Sequence, residues 1–157
     1  MTPDAEATVA DREAALARLA RRLGLAGVIP FAALALWLYG IADTHPWRDG
    51  TIVLLRGYAV IILSFLGGVR WGLAIAGGGR QRRDLALGVV PALAGWATFA
   101  LPAAPAFAVL AVCFAGHGAW DSFAVAEGAA PEWYGRLRLW LTVLVVAALL
   151  LAALAAA

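Results

Sequence analysis

Three side chains in this sequence can hold charge or exchange protons among apolar neighbours: Arg70, His117 and Asp121. Arg70 stands inside "FLGGVRWGLAI", and a guanidinium at the centre of a membrane helix costs on the order of 3 kcal/mol even on lenient insertion scales. At 1.5 Å per residue it lies roughly 15 Å from the Arg80 loop, too far for its stem to carry the whole charge back to an interface. A partner is therefore required. Asp121 is the one acidic residue within the apolar segments, at matching depth on a segment running the same way, and His117 lies one turn earlier on the same face. Two readings of this trio stay open. The cluster locks helices together, or it forms a proton or anion path, with His beside Asp taking up a proton near neutral pH and Arg binding an anionic group. A closed ion pair favours the first and a polar vestibule the second. The small number of ionisable groups weighs towards locking.

The elements that must position them are apolar and helical. Of 157 residues, 64% are hydrophobic and 14% charged, more apolar surface than a water-soluble domain of this length can hide. The sequence predicts an all-α integral membrane protein with five spans, about 23–41, 52–76, 85–101, 106–126 and 139–157, joined by short connections. Residues 1–22 are expected as a cytoplasmic, amphipathic N-terminal helix and 23–157 as the membrane domain. Thr2 and Pro3 suit a helix start, and Val9, Leu16, Leu19 and Leu23 share a face that either lies on the membrane or leads, solvated, into the first span. That span is too long, and its lead-in too acidic, for a cleaved signal peptide. Pro30 and Pro91 fall inside spans, which neighbouring helices can accommodate.

Arginine placement sets the expected orientation. Arg12, Arg18, Arg21, Arg22, Arg80, Arg82, Arg83, Arg136 and Arg138 fall on one side; the other holds Arg48, with Arg56 just within the membrane. The positive-inside rule then puts the N-terminus in the cytoplasm and the C-terminus in the periplasm of a bacterial inner membrane. All basic residues being Arg, amid abundant Ala, fits a GC-rich bacterial genome. "RRLGLAGVIP" and "RRDLALGVVP" share Arg-Arg, Gly-Val and Pro at equal offsets, which fits either parallel helix hairpins or shared composition. In the second span Ser64, Gly68, Gly72 and Ala76 form a small-residue stripe, and Ser64, Gly67, Gly68, Trp71 and Gly72 are the expected helix-packing motif. Trp133, Tyr134, Arg136, Arg138 and Trp140 alternate rings and cations, as interfacial anchors do.

No phosphate-binding loop, dinucleotide fingerprint, zinc-protease motif or nucleophile elbow is present, so no enzymatic activity is expected. Cys113 alone supports neither a disulfide framework nor a thiolate zinc site, His45 sits in a loop at a different depth from His117, and no metal or cofactor is expected. The basic residues form no dense face, which argues against nucleic acid as a partner.

"FLGGVRWGLAI", Asp121 closing the fourth span and "PEWYGRLRLWLTVLV" resemble domain of unknown function family 3429, the transmembrane protein 69-like group of bacterial and mitochondrial proteins. The resemblance runs from about Leu23 to Ala148. It implies a small polytopic membrane protein with no catalytic activity to carry over, and it points to Gly67, Gly68, Arg70, Trp71 and Gly72 without giving them roles. The expected function is a non-catalytic accessory, assembly or scaffold component whose partners are the bilayer and other membrane proteins or a second copy. The alternative is a proton-linked or anion-handling carrier using Arg70, His117 and Asp121.

Overall fold

A computed structural model describes residues 3–76, 81–126, 128 and 131–157. The elements are α1 (Pro3–Gly40), α2 (Arg48–Ile75), α3 (Gln81–Gly88), α4 (Val90–Ala97), a 3-10 turn (Thr98–Ala100), α5 (Ala103–Ala126) and α6 (Glu132–Ala155), with no strand among the described residues. Four stretches are long and apolar enough to cross a membrane: Asp11–Gly40 in α1, Arg48–Ile75, Ala103–Phe123 in α5, and Glu132–Ala155.

The expected five continuous spans are thereby corrected to four. The third, expected over 85–101, is broken into α3, α4 and the 3-10 turn. Pro91 has no N–H to give and its ring crowds the carbonyl four residues earlier, so the helix restarts with Pro91 in its first turn. The break is held against α2. A Cβ on Gly67 would overlap the Gly88 carbonyl oxygen, and a Cβ on Gly88 would meet Trp71 Cδ1 at 2.6 Å. The indole N–H of Trp71 donates to the Leu85 carbonyl at 2.8 Å, while Arg56 reaches the carbonyls of Thr98 and Leu101 at 3.4 and 3.3 Å. Trp71 and Arg56 stand about 22 Å apart along α2 at 1.5 Å per residue, so the broken stretch runs antiparallel beside it.

Residues 3–22 are not a separate helix. From Pro3, α1 continues through Pro30 to Gly40. Its 38 residues extend about 57 Å at 1.5 Å each, well beyond the roughly 30 Å of a hydrocarbon core. The other end of the bundle is closed by Arg48, which donates to the Ala155 carbonyl and pairs with Asp43 at 2.9 Å, joining the start of α2 to the end of α6.

The core is a seam of large and small residues. Phe31, Leu38, Leu55, Leu63, Phe107, Leu110 and Leu149 are fully enclosed, with Ala35, Ala59 and Ala152 between them. Phe31 packs edge-on against Tyr58 and Phe114 at centroid distances of 5.0 and 5.6 Å. The exterior is equally apolar: Ile75, Trp96, Val112 and Leu154 are each more than 70% exposed. Such a surface is a liability in water and suits lipid, where close packing replaces hydrophobic burial in holding helices together.

Candidate functional site

The polar residues converge at the end of the bundle where α2 finishes, α5 finishes and α6 begins. Asp121, on the last turns of α5, is the hub. Its Oδ1 lies 3.0 Å from Arg70 Nη2 of α2, an ion pair whose N–H is not aligned as a hydrogen bond. Its Oδ2 accepts a 2.6 Å hydrogen bond from Arg138 Nε of α6, and His117 Nδ1 stands 3.5 Å from the same oxygen. The Arg70 guanidinium also lies over the Trp120 ring, 4.4 Å from its centroid, a cation–π contact strengthened by the burial of the guanidinium.

The site is enclosed. Side-chain exposure is 3% for both Arg70 and Asp121 and 2% for His117. Two guanidiniums face one carboxylate, which leaves one positive charge in excess, or two when His117 is protonated. Some donors there have no partner: both His117 ring nitrogens, Arg70 Nε and Arg138 Nη2 lack a hydrogen bond among the described residues, as does the Thr142 hydroxyl. Thr142 sits on α6 one turn above Arg138, and a Cβ on Gly118 would come 2.5 Å from its Oγ1, so α5 and α6 touch closely beside the hub.

Sequence reasoning placed Arg138 among the interfacial anchors; that is corrected. Only 8% of Arg138 is exposed and it makes the shortest contact to Asp121. Arg136 and Trp140 are exposed and Trp133 and Tyr134 partly so. The helix-packing motif divides likewise. Gly67 and Trp71 contact the α3–α4 break, but Gly68 and Gly72 are exposed with nothing within 4 Å of a Cβ, and the Ser64 hydroxyl bonds to its own helix at Val60. Among the described residues the stripe of Ser64, Gly68, Gly72 and Ala76 thus faces no helix, because α2 turns the neighbouring Gly67 face to α3. Arg80 and Glu127 lie outside the described residues. Among the described residues no three His, Cys, Asp or Glu side chains come together in a way that could hold a metal ion.

A third buried arginine, Arg56, is 8% exposed and has the Phe99 and Phe107 rings at 5.8 and 6.0 Å, reaching backbone carbonyls rather than a carboxylate.

A family model described as a protein of unknown function, DUF3429, matches residues 16–154, a stretch that contains the hub and every helix that builds it. The chain belongs to the DUF3429 family. It is also similar to transmembrane protein 69 of Xenopus tropicalis, with 42% identity over 77 residues, 47% of this chain and 29% of that relative. The match therefore spans less than a third of the relative's length. No solved structure matches the chain. A multi-helix membrane protein is what the family, the relative and the four long apolar helices together support.

Proposed function

We propose that this chain is a non-catalytic accessory, assembly or scaffold component of a membrane complex, and that the Asp121 hub is its internal lock. The observation that carries this reading is the enclosure of the charges: Arg70, His117 and Asp121 are each no more than 4% exposed. A carrier using the same residues needs them to meet water from either side in turn. A lock needs them shut away and paired with separate helices. The apolar exterior, with the small-residue stripe of α2 left open on it, is the surface offered to lipid and to membrane partners.

Orientation follows from the ends of the bundle. The end that holds Arg21, Arg22, Arg82, Arg83 and Arg136 faces the cytoplasm of a bacterial inner membrane, and α6 carries the C-terminus to the opposite end beside Arg48.

The test compares flux with assembly. The chain and Asp121→Asn are reconstituted into vesicles carrying a proton-sensitive or chloride-sensitive dye inside, and the native membrane is run by blue-native electrophoresis in parallel. The expected result is no Asp121-dependent flux, with the chain migrating in a complex larger than itself. Flux that depends on Asp121 overturns the lock in favour of the carrier.

A further inference from the structure

A groove of about 480 Å³ lies between α1 and α6 near the start of α6, within the size range of small-ligand sites. Each wall repeats at helical spacing. Ala17, Arg21 and Leu25 form the α1 side; Arg136, Trp140 and Leu144 form the α6 side, with Trp133 beside them. The two helices run in the same direction, because α1 ends at the short connection to Arg48, and Arg48 is bonded to Ala155 at the end of α6. Gly24 touches Leu141 across the pair. Counted from that contact at 1.5 Å per residue, Arg21 and Arg136 lie about 4.5 and 7.5 Å towards the helix starts, at nearly one depth. Leu25 and Leu144 lie on the other side of it. The groove is therefore cationic at one end and apolar at the other.

We propose that this groove binds an anionic phospholipid, its phosphodiester held between Arg21 and Arg136 and its acyl chains lying along Leu25, Trp140 and Leu144. Charge is the first argument. Both guanidiniums are exposed, and neither is paired with a carboxylate among the described residues. Glu132, one turn before Arg136, is not on the wall and makes no such pair. Two cations at one depth suit a phosphate whose free oxygens accept from a guanidinium on either side. A choline headgroup would bring its own cation against them. The second argument is the order of residue types. Reading inward along each wall, the arginine comes first and the apolar side chain one turn later, the order of headgroup and acyl chain in a lipid. Trp140 lies between, with a ring that can cover the chain and an N–H that can meet the polar end. A free phosphate ion would use the cationic end and leave the apolar end uncovered, whereas a lipid fills both. Basic pockets between membrane helices at the cytoplasmic side are a recurring means of holding anionic headgroups.

The inference goes beyond the lock and shares only its membrane placement, which flotation of the chain with vesicles tests separately. Native mass spectrometry is applied to the full chain in detergent micelles holding equimolar phosphatidylglycerol and phosphatidylcholine with matched acyl chains, and each bound lipid is identified by its mass. One-to-one adducts with phosphatidylglycerol are expected to exceed those with phosphatidylcholine about twentyfold, each well-placed arginine contributing about fivefold towards an anionic headgroup. Arg21→Gln and Arg136→Gln should each cut the preference about fivefold, and the two together should bring it near parity. Arg22→Gln removes the same charge at the neighbouring position, off the groove wall, and should leave the preference in place. All three arginines are exposed, so the variants should fold, which thermal unfolding checks. Inorganic phosphate, compared with chloride at equal ionic strength, should not displace the lipid. Equal binding of the two lipids, a loss in Arg22→Gln as large as in Arg21→Gln, or displacement by inorganic phosphate beyond that by chloride each overturns the proposal.

Discussion

Replacing Asp121 by Asn should be among the most damaging single changes at the hub, and charge arithmetic says by how much. The wild-type cluster carries one excess positive charge; Asp121→Asn raises this to two, whereas Arg70→Gln or Arg138→Gln lowers it to zero. Unit charges about 4 Å apart attract by roughly 4 kcal/mol at an effective dielectric constant of about 20. The substitution deletes two such attractions, to Arg70 and to Arg138. It also relieves the carboxylate's own desolvation, several kcal/mol for a buried ion, and Asn keeps one acceptor oxygen. The net loss is about 3–5 kcal/mol, the usual cost of stranding a buried ion. That corresponds to a fall in Tm of about 6–20 °C for a chain of this size. Thermal unfolding in mild detergent reads it directly. Asp43→Asn is the control, because Asp43 pairs with Arg48 at 2.9 Å but is 89% exposed, and exposed pairs contribute about 0–1 kcal/mol. The double variant Asp121→Asn with Arg70→Gln should recover part of the loss, since it removes one of the stranded cations. If Asp121→Asn costs no more than Asp43→Asn, or the second change deepens the loss, electrostatic locking is refuted.

Three further outcomes follow from the packing. Gly67→Ala should destabilise by about 1–3 kcal/mol through overlap with the Gly88 carbonyl, whereas Gly68→Ala and Gly72→Ala, with open space around their Cβ positions, should be neutral or slightly stabilising in thermal unfolding. A reporter active only in the periplasm and fused to Ala157 should give signal; silence there, with activity from a fusion at Gly79, reverses the orientation. Trp133 fluorescence, obtained by difference from Trp133→Phe, should be quenched more by a headgroup-level lipid probe than by a mid-bilayer probe, and the opposite order would remove Trp133 from the interface.

Much of this was legible because charge is scarce in the sequence. With Asp121 the sole acid of the apolar segments, it was the evident partner for Arg70, and the structure sets them 3.0 Å apart. Arg138 was harder. It stands among Trp133, Tyr134, Arg136 and Trp140, a composition that reads as an interface. Yet Arg136 and Arg138 differ by about 200° around a helix, so they cannot share one face. Asp121 and Arg138 are also each about six residues from the α5–α6 connection, which matches their depth. The break in the third expected span had its signal in "LGVVP": a proline three residues after a glycine that α2 needs at close range. Hydropathy cannot register this, because both fragments remain apolar. Nor can spacing say which face of α2 finds a partner. Gly67 and Gly68 are adjacent and differ only in what the rest of the chain brings to them.

The position of the hub bears on why charges are kept there at all. In lipid an apolar helix gains little from one neighbour over another, and sliding by a turn, about 5.4 Å, exchanges one set of aliphatic contacts for a similar set. The Asp121 contacts do not survive such a slide. At 2.6 and 3.0 Å, they hold α6 and α2 to α5 in one register, and a displacement of a turn strands two cations and an anion together. The opposite end has its own tie, from Arg48 to the Ala155 carbonyl, which fixes α6 against the start of α2. Between them lies an apolar seam that supplies contact but little choice of register. Specific alignment thus comes from the two polar ends, so α6 carrying Arg138→Gln should stay helical yet lose its fixed alignment. Spin labels on α2 and α6, placed at exposed Ile61 and Leu144, read this as a broadened distance distribution at unchanged helical circular dichroism. A distribution as narrow as that of the wild type would assign register to apolar packing instead.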